Sequence, residues 1–380
     1  AFAGLERLVA VMEKNNIDLK TAMEIVPRAM VFTTHTPVAA GHDEFPIDSV
    51  RPYLAPFEEK LGIDVGEILA LGQAPDSGID SPLSMFVLAM NLSQYCNGVS
   101  ELHGAVARRM WAHVWAGRPN DEVPITHITN GVHIASWISI ELSLLFERYL
   151  GPDWQLHTWD TEMTGRVDEI YDEELWRSHE MARSRMIRMC RSHMLKQYGR
   201  RNAPRSVMEA AESILDQEVL TIGFARRFAT YKRADLILHD LPRLKRLLND
   251  RWRPIQIIFA GKAHPSDDPG KRILQKVFNI CRDPEIGGRI AFVEDYGEQI
   301  AQYLVHGVDI WLNNPLPPME ASGTSGMKAA LNGVLNVSIL DGWWCEGYSP
   351  QRGWRIGNGE EYQDHNYQDA VESQALYNII

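Results

Sequence analysis

Val308-Asp-Ile-Trp-Leu-Asn-Asn-Pro-Leu-Pro-Pro-Met-Glu-Ala-Ser-Gly-Thr-Ser-Gly-Met-Lys328 is the stretch from which the rest of the chain can be read. Val308 to Leu312 is a short apolar run of β-forming residues, ended by Asn313-Asn314 and three prolines. A polar loop carrying Gly323 and Gly326 follows, and Met327 to Asn332 is helix-forming, closed by Gly333. A buried strand, a loop of small residues and a helix N-terminus make an anion site, because unpaired backbone N–H groups and the positive end of the helix dipole converge there. Thr324 and Ser325 add hydroxyl groups, and Lys328 places a primary amine one or two residues into the helix. A nucleotide phosphate with the lysine as counter-ion fits this pattern, and so does pyridoxal phosphate joined to the lysine. A plain surface loop with a solvated lysine has the same spacing. No Gly-x4-Gly-Lys-Ser/Thr loop and no Gly-x-Gly-x-x-Gly fingerprint is present in the stretch.

Working upstream and downstream from it, the pattern is βαβα from residue 218 onward. Apolar runs at Val219 to Phe224, Ile255 to Ala260, Arg289 to Val293, Val308 to Leu312 and Val334 to Ile339 read as strands. Helical runs at about 234–249, 270–282, 297–306 and 327–332 separate them. That alternation predicts a parallel, doubly wound α/β sheet with ligands at the strand C-termini. Gly223-Phe-Ala-Arg-Arg-Phe-Ala-Thr-Tyr-Lys-Arg233 sets four cations, Arg226, Arg227, Lys232 and Arg233, just after one such strand, which suits an anionic ligand. Phe259-Ala-Gly-Lys-Ala-His-Pro265 and Phe292-Val-Glu-Asp-Tyr296 end two others.

The first half is more helical. Residues 2 to 15 and about 20 to 26 read as helices, and Ala29 to Thr34 as a short buried strand. The loop His35-Thr-Pro-Val-Ala-Ala-Gly-His42 places two histidines seven residues apart across Pro and Gly, not at helical i, i+4 spacing, so it does not read as a metal site. Residues 51 to 61 and 81 to 116 read as helices, broken at Asn97-Gly-Val-Ser100, with His103 as a packing residue. Ile125 to Thr129 alternates as a strand and turns at Asn130-Gly131 toward Trp137. Residues 138 to 217 are charged and helical, with a long helix over Glu173 to Tyr198 whose Arg and Lys face reads as solvated.

The chain has 380 residues, room for two or three domains, with 45% hydrophobic and 23% charged residues. A formal net charge of −12 argues against nucleic acid or an anionic membrane as the main partner. Cys96, Cys190, Cys281 and Cys345 are far apart and form no Cys-x-x-Cys pair, which reads as reduced thiols of a cytoplasmic protein. No apolar run nears the ~18 residues of a membrane span. The chain opens on Ala1 in mid-pattern and reads as a fragment.

Glu320-Ala-Ser-Gly-Thr-Ser-Gly-Met-Lys328, with Leu331-Asn-Gly and Asp341-Gly342 beyond it, resembles the cofactor signature of α-glucan phosphorylases. That family, which acts on glycogen, starch and maltodextrins, carries Glu-Ala-Ser-Gly-Thr-x-x-Met-Lys followed by Leu-Asn-Gly and Asp-Gly. The residues after Pro37 resemble its shorter bacterial and archaeal branch. The resemblance implies a GT-B fold, two Rossmann-like domains facing across a cleft. It divides the chain into the C-terminal part of the N-terminal domain (1–129), a helical crossover (130–217) and the pyridoxal-phosphate-binding domain (218–380). It implies pyridoxal 5′-phosphate in a Schiff base with Lys328. Thr324, Ser325, Arg226, Tyr296 and Trp137 would surround the cofactor, with Arg226 standing where many members have Lys. Arg227 and Lys232 match the residues that hold the substrate phosphate, while Ala229 departs from the His of animal-type members. His35, Asn130, Glu320, Ser322 and Gly323 match the residues around the glucosyl unit.

The implied reaction is cleavage of a terminal α-1,4-glucosidic bond of a glucan by inorganic phosphate, giving glucose 1-phosphate with retention. The full-length protein would be a homodimer. The family's upstream glycine-rich loop and some C-terminal helical material are missing from the match, so the chain by itself is expected to aggregate and to be inactive. The rival enzyme is a nucleotide-sugar glucosyltransferase of glycogen-synthase type, which would give Lys328 no covalent role. A non-catalytic glucan-binding module is the third reading, and it leaves the cations at the strand ends without a purpose.

Overall fold

The computed structural model describes residues 1–380 except Ile79 and Gly287, and omits the side chain of Ala40. It divides into two units: one comprises Ala1–Asn130, Pro318–Ser322 and Asp341–Glu346, the other Gly131–Pro317, Gly323–Leu340 and Gly347–Ile380.

The first unit is built on three short parallel strands in the order β1-β4-β5: β1 (Val31–Thr33), β4 (Tyr95–Gly98) and β5 (Ile125–His127). The pair β2 (Glu44–Phe45) and β3 (Leu83–Ser84) is antiparallel. The central strand β4 falls where the sequence reads as a helix break. Tyr-Cys-Asn-Gly has the composition of a turn, and only pairing on both sides makes it a strand. The expected strand after residue 29 is present, but as an edge strand it is less buried than the apolar pattern implies, and Val31 is exposed. Helices Phe2–Asn15 and Leu19–Ile25 lie where the periodicity puts them, and their apolar faces, Leu5, Leu8, Val9 and Ala22, are buried.

The second unit carries a parallel sheet of six strands, β6 (Leu220–Ala225), β7 (Ile255–Ala260), β8 (Ile290–Val293), β9 (Ile310–Asn313), β10 (Leu335–Ile339) and β11 (Gly353–Ile356). Their order is β11-β10-β9-β6-β7-β8. Alternate residues of each strand go to opposite faces, and in β6 to β10 both faces are buried. Ile222, Phe224, Ile257, Phe259 and Leu312 pack with Leu244, Leu248, Val277 and Leu376 of the helices Leu241–Leu248, Asp268–Ile280 and His365–Ile379. The opposite face presents small residues, Ala225, Ala260 and Ala291, which let the helices Asp172–Arg200, Glu298–Gly307 and Thr324–Leu331 pack close.

The long helix departs from a solvated basic face. Arg183 is buried and donates to Asp309 Oδ1 at 2.8 Å, and Arg191 donates from Nε to the Ile214 carbonyl at 2.9 Å. Asp309, at the entry to β9, also takes His179 Nε2 at 2.8 Å and the Thr221 amide at 2.7 Å. Period alone does not separate these arginines from solvated ones. Their partners come from residues distant in sequence.

Candidate functional site

The strand order fixes where chemistry can gather in the second unit. From β6 the chain winds outward through β7 and β8, then returns to β9 on the other side of β6. The connections after β6 and β9 therefore diverge, and a crevice opens at the carboxyl ends of these two neighbours. The loop after β6 is the cationic one, and the loop after β9 leads into the lysine-bearing helix.

That helix, Thr324–Leu331, begins three residues before the sequence pattern places it, so Thr324 and Ser325 lie in its first turn and Lys328 is further in. Gly323 is the N-cap with φ 84°, a conformation that glycine adopts without strain, and no side chain caps the helix. The Gly326 amide donates to the Gly323 carbonyl at 3.1 Å, whereas the Thr324 and Ser325 amides ahead of it have no intrahelical acceptor and remain available to an anion. Trp311 of β9 donates from Nε1 to Ser325 Oγ at 3.2 Å, and Asn336 of β10 donates to the Gly326 carbonyl at 3.1 Å, which pins the helix start to the sheet.

The Lys328 amine lies 3.8 Å from the centre of the Trp137 ring. Burial holds its pKa below the ordinary lysine value, and Glu298 opposes this. Trp137 sits in the short helix Ile134–Trp137, and its carbonyl accepts from Asn332 Nδ2 at 2.7 Å and His306 Nε2 at 3.0 Å.

Among the cations after β6, Arg226 and Lys232 are buried at 7% exposure, whereas Arg227 is exposed. The Lys232 amine lies 4.6 Å from the centre of the Tyr231 ring. Arg233 has a different task. Its guanidinium donates to the carbonyls of Asn314 at 3.0 Å and Pro315 at 2.8 Å, and pairs with Asp369 at 2.8 Å and Glu372 at 2.5 Å. It holds the turn after β9 against the helix His365–Ile379. The Gly-Lys-Ala segment after β7 is also structural: a Cβ on Gly261 would overlap the Arg226 carbonyl oxygen. Tyr296, beyond β8, donates from its hydroxyl to the Ala225 carbonyl at 3.3 Å, and burial pushes its pKa up to about 12.

In the first unit the remaining candidates also collect at strand carboxyl ends. His35 is exposed just past β1, next to Thr34, whose amide donates to the Asn97 carbonyl at 2.9 Å. The Asn130 amide donates to the Val99 carbonyl at 3.1 Å. The Glu320–Ser322 turn is held by Ser100 Oγ donating to the Ala321 carbonyl at 2.7 Å and by the Glu320 amide donating to Asp341 Oδ2 at 2.9 Å. Gly342 is required beside it, since a Cβ there would overlap the Ser322 carbonyl oxygen. Ser322 Oγ is buried and meets no hydrogen-bond partner among the described residues. Glu346 accepts from the Glu101 amide at 2.9 Å and from Thr129 Oγ1 at 2.6 Å.

Sequence reasoning does not single out Ser100, Glu346, Gln302, His306 or Asn332. Only Asn332 carries a signal, its place in the Leu-Asn-Gly run. His42 packs on Phe86 and Trp111, with ring centres 4.5 and 5.1 Å apart. Among the described residues no group of three or more His, Cys, Asp or Glu could hold a metal, and no helix is long and apolar enough to cross a membrane.

A doubly wound α/β unit with cations and an uncapped helix start beside its switch point is an arrangement that suits an anionic ligand. A sequence profile of the carbohydrate phosphorylases matches residues 73–347, and the chain belongs to that family. It is 44% identical to the glycogen phosphorylase of Aquifex aeolicus over 368 residues, covering 97% of this chain and 52% of that protein. It is 45% identical to the maltodextrin phosphorylase of Thermococcus litoralis over 381 residues, covering 100% of this chain and 44% of that protein. The glycogen phosphorylase of Mycobacterium tuberculosis is 40% identical over 392 residues, with 100% and 44% covered. The chain spans about half the length of the curated relatives it matches.

Proposed function

We propose that the protein cleaves terminal α-1,4-glucosidic bonds of a glucan with inorganic phosphate, releasing glucose 1-phosphate with retention, and that it uses pyridoxal 5′-phosphate held on Lys328. The GT-B arrangement, with residues 1–129, 130–217 and 218–380 as parts of its N-terminal domain, crossover and cofactor domain, belongs to the same reading, as does a cytoplasmic location. The observation that carries it is the Lys328 amine with its pKa lowered by burial, 3.8 Å from the Trp137 ring, on a helix whose start carries no side-chain cap.

These residues fit the cofactor. A lysine whose pKa is lowered by burial has a larger neutral fraction at any given pH than an exposed one, and the neutral amine condenses with an aldehyde, losing water. The Thr324 and Ser325 amides and hydroxyls suit a phosphate, with the buried Arg226 as its counter-charge. When bound, the cofactor supplies a phosphate with a second pKa near ~6, suited to exchanging a proton at neutral pH. Arg227 and Lys232 bind the substrate phosphate and offset the repulsion between closely spaced anions. Tyr296 stays protonated through the neutral range and keeps one wall of the cofactor site in place. In the first unit, His35, Asn130, Glu320 and Ser322 bond the sugar hydroxyls. The unpartnered Ser322 Oγ is a group that such a ligand would satisfy.

The test is borohydride reduction of the intact protein after incubation with pyridoxal 5′-phosphate, followed by peptide mapping. A pyridoxyl group on Lys328, together with phosphate-dependent release of glucose 1-phosphate from maltoheptaose, is the expected result. Modification of a different lysine, or of none, overturns the reading.

A further inference from the structure

Asn332 makes three hydrogen bonds with one side-chain amide. Its Oδ1 accepts from the Ser139 amide at 2.7 Å, and its Nδ2 donates to the Trp137 carbonyl at 2.7 Å and to the Lys328 carbonyl at 2.9 Å. The residue is buried at 5% exposure and forms the C-cap of the helix Thr324–Leu331. The orientation of the amide is not open to exchange, since a flip would set its oxygen against two carbonyls and its NH2 against an N–H. Both Nδ2 hydrogens are used. One goes to the residue that bears the amine and the other to the residue whose ring the amine faces. Holding the helix end would need only the bond to Lys328, so the bonds to Trp137 and Ser139 serve something else.

We propose that Asn332 is a positioning residue that sets the Trp137 indole against the Lys328 amine and thereby fixes the orientation in which a carbonyl cofactor is held. The inference rests on Lys328 being the cofactor lysine. Its physical content is a short mechanical loop. The Lys328 side chain starts one helical turn before Asn332, and the Trp137 segment is tied to the same amide. The segment has other anchors on the neighbouring helix Glu298–Gly307: His306 Nε2 donates to the Trp137 carbonyl at 3.0 Å and Gln302 Nε2 to the Ser136 carbonyl at 2.8 Å. Those bonds fix the segment to that helix. Asn332 alone among these three fixes it to the lysine helix. Without it the backbone of Trp137 stays near, but its register relative to Lys328 is no longer set.

Two variants of the intact protein test this. Asn332→Ala removes all three bonds. Asn332→Asp keeps the shape and the bond from the Ser139 amide, but turns an oxygen toward the Trp137 and Lys328 carbonyls. Each is loaded with pyridoxal 5′-phosphate, and three quantities are read: its release rate, the visible circular-dichroism band per mole bound, and the unfolding midpoint of the cofactor-free protein. Gln256→Ala is the control for stability alone. It breaks a buried amide network elsewhere in the same unit, where Gln256 Nε2 donates to the Asp216 carbonyl at 2.7 Å and to Thr221 Oγ1 at 2.8 Å. Both Asn332 variants should release the cofactor at least about tenfold faster than wild type and change the dichroic band, the scale expected when a charged or fully used buried hydrogen bond is lost. The control should lower the midpoint and leave the band unchanged. Release within twofold of wild type and an unaltered band in Asn332→Asp overturn the inference, including where Asn332→Ala does not fold. Failure of the wild type itself to bind pyridoxal 5′-phosphate would instead overturn the assignment of Lys328.

Discussion

The Nζ of Lys328 stands 3.8 Å from the centre of the Trp137 indole, so the amine meets a ring face where an exposed lysine would meet water. The ring quadrupole attracts an ammonium group, but the same surface strips its hydration. Desolvation prevails here, because burial holds the amine below the ordinary lysine value despite the opposing pull of Glu298. Trp137→Ala should reverse this by admitting water. The Lys328 pKa then rises, the neutral fraction at a given pH falls, and the amine reacts more slowly with an aldehyde. Each unit of the rise costs about tenfold in loading rate below the pKa. The check is the rate of pyridoxal 5′-phosphate uptake by cofactor-free protein from pH 6 to 9. A profile that does not move to higher pH in the variant would show that the ring does not set the amine.

Arg226 and Arg227 are adjacent in sequence and opposite in exposure, the first buried and the second exposed. Arg227→Ala should therefore weaken the use of inorganic phosphate while leaving cofactor content and unfolding midpoint near wild type. Loss of a charge-assisted hydrogen bond is worth about 1.5–3 kcal/mol, or roughly 10- to 150-fold in kcat/KM for phosphate. Arg226→Ala should lower cofactor content. Equal loss of bound pyridoxal from both variants would mean that the two roles are not divided this way.

Much of this was legible before any coordinates. Strands β6 to β9 are largely apolar runs separated by helices, as expected of a sheet covered on both faces, and β10 adds the buried Asn336 and Ser338 to that pattern. That the cations follow β6 and the lysine follows β9 is legible too, but that these two strands pair is seen only in the sheet order. The edge strand β11 and its helix His365–Ile379 were not read. Gly-Trp-Arg-Ile has one exposed Trp and one exposed Arg and so lacks the run of apolar residues that marked the other strands. Strand β4 was hidden for the related reason that its residues favour a turn. Long-range polar partners were the least legible. Nothing near Arg183 announces Asp309, and nothing near Asn332 announces Ser139, because only the packed helices bring them together.

Arg233 shows the same limit within a motif that was read. It is one of four clustered cations, yet it is 5% exposed and spends its guanidinium on two carbonyls and two carboxylates. Its partner Glu372 is itself only 4% exposed. Arg233→Ala should leave that carboxylate buried without its charge partner, which typically costs about 3–5 kcal/mol. Urea unfolding should therefore show a large loss of stability, far beyond that of Arg227→Ala. A midpoint within experimental error of wild type would show that the helix His365–Ile379 does not depend on this network.

The final prediction concerns acid. His103 in the first unit and His306 in the second both have pKa values lowered to about 4, chiefly by burial. His35 and His42 add to the depression of His103, and for His306 Arg185 adds to it while the bond to the Trp137 carbonyl opposes it. Unfolded, each histidine titrates near ~6.5. Between that value and 4 the unfolded chain binds protons that the folded one refuses, so stability is fully present above pH ~6.5 and is lost as pH falls toward 4. A shift of this size is worth up to about 3 kcal/mol for a group as buried as His103, and less for the partly exposed His306. Replacements can separate this effect from that of the carboxylates. His103 uses Nδ1 to accept from the Val99 amide at 3.2 Å, and Asn carries an oxygen at the matching position. His306 uses Nε2 to donate to the Trp137 carbonyl, and Gln carries an NH2 there. His103→Asn and His306→Gln should each flatten the fall of the unfolding midpoint between pH 7 and 5 while changing it less at pH 7.5. If both variants lose stability on acidification as steeply as wild type, neither histidine is held neutral by burial.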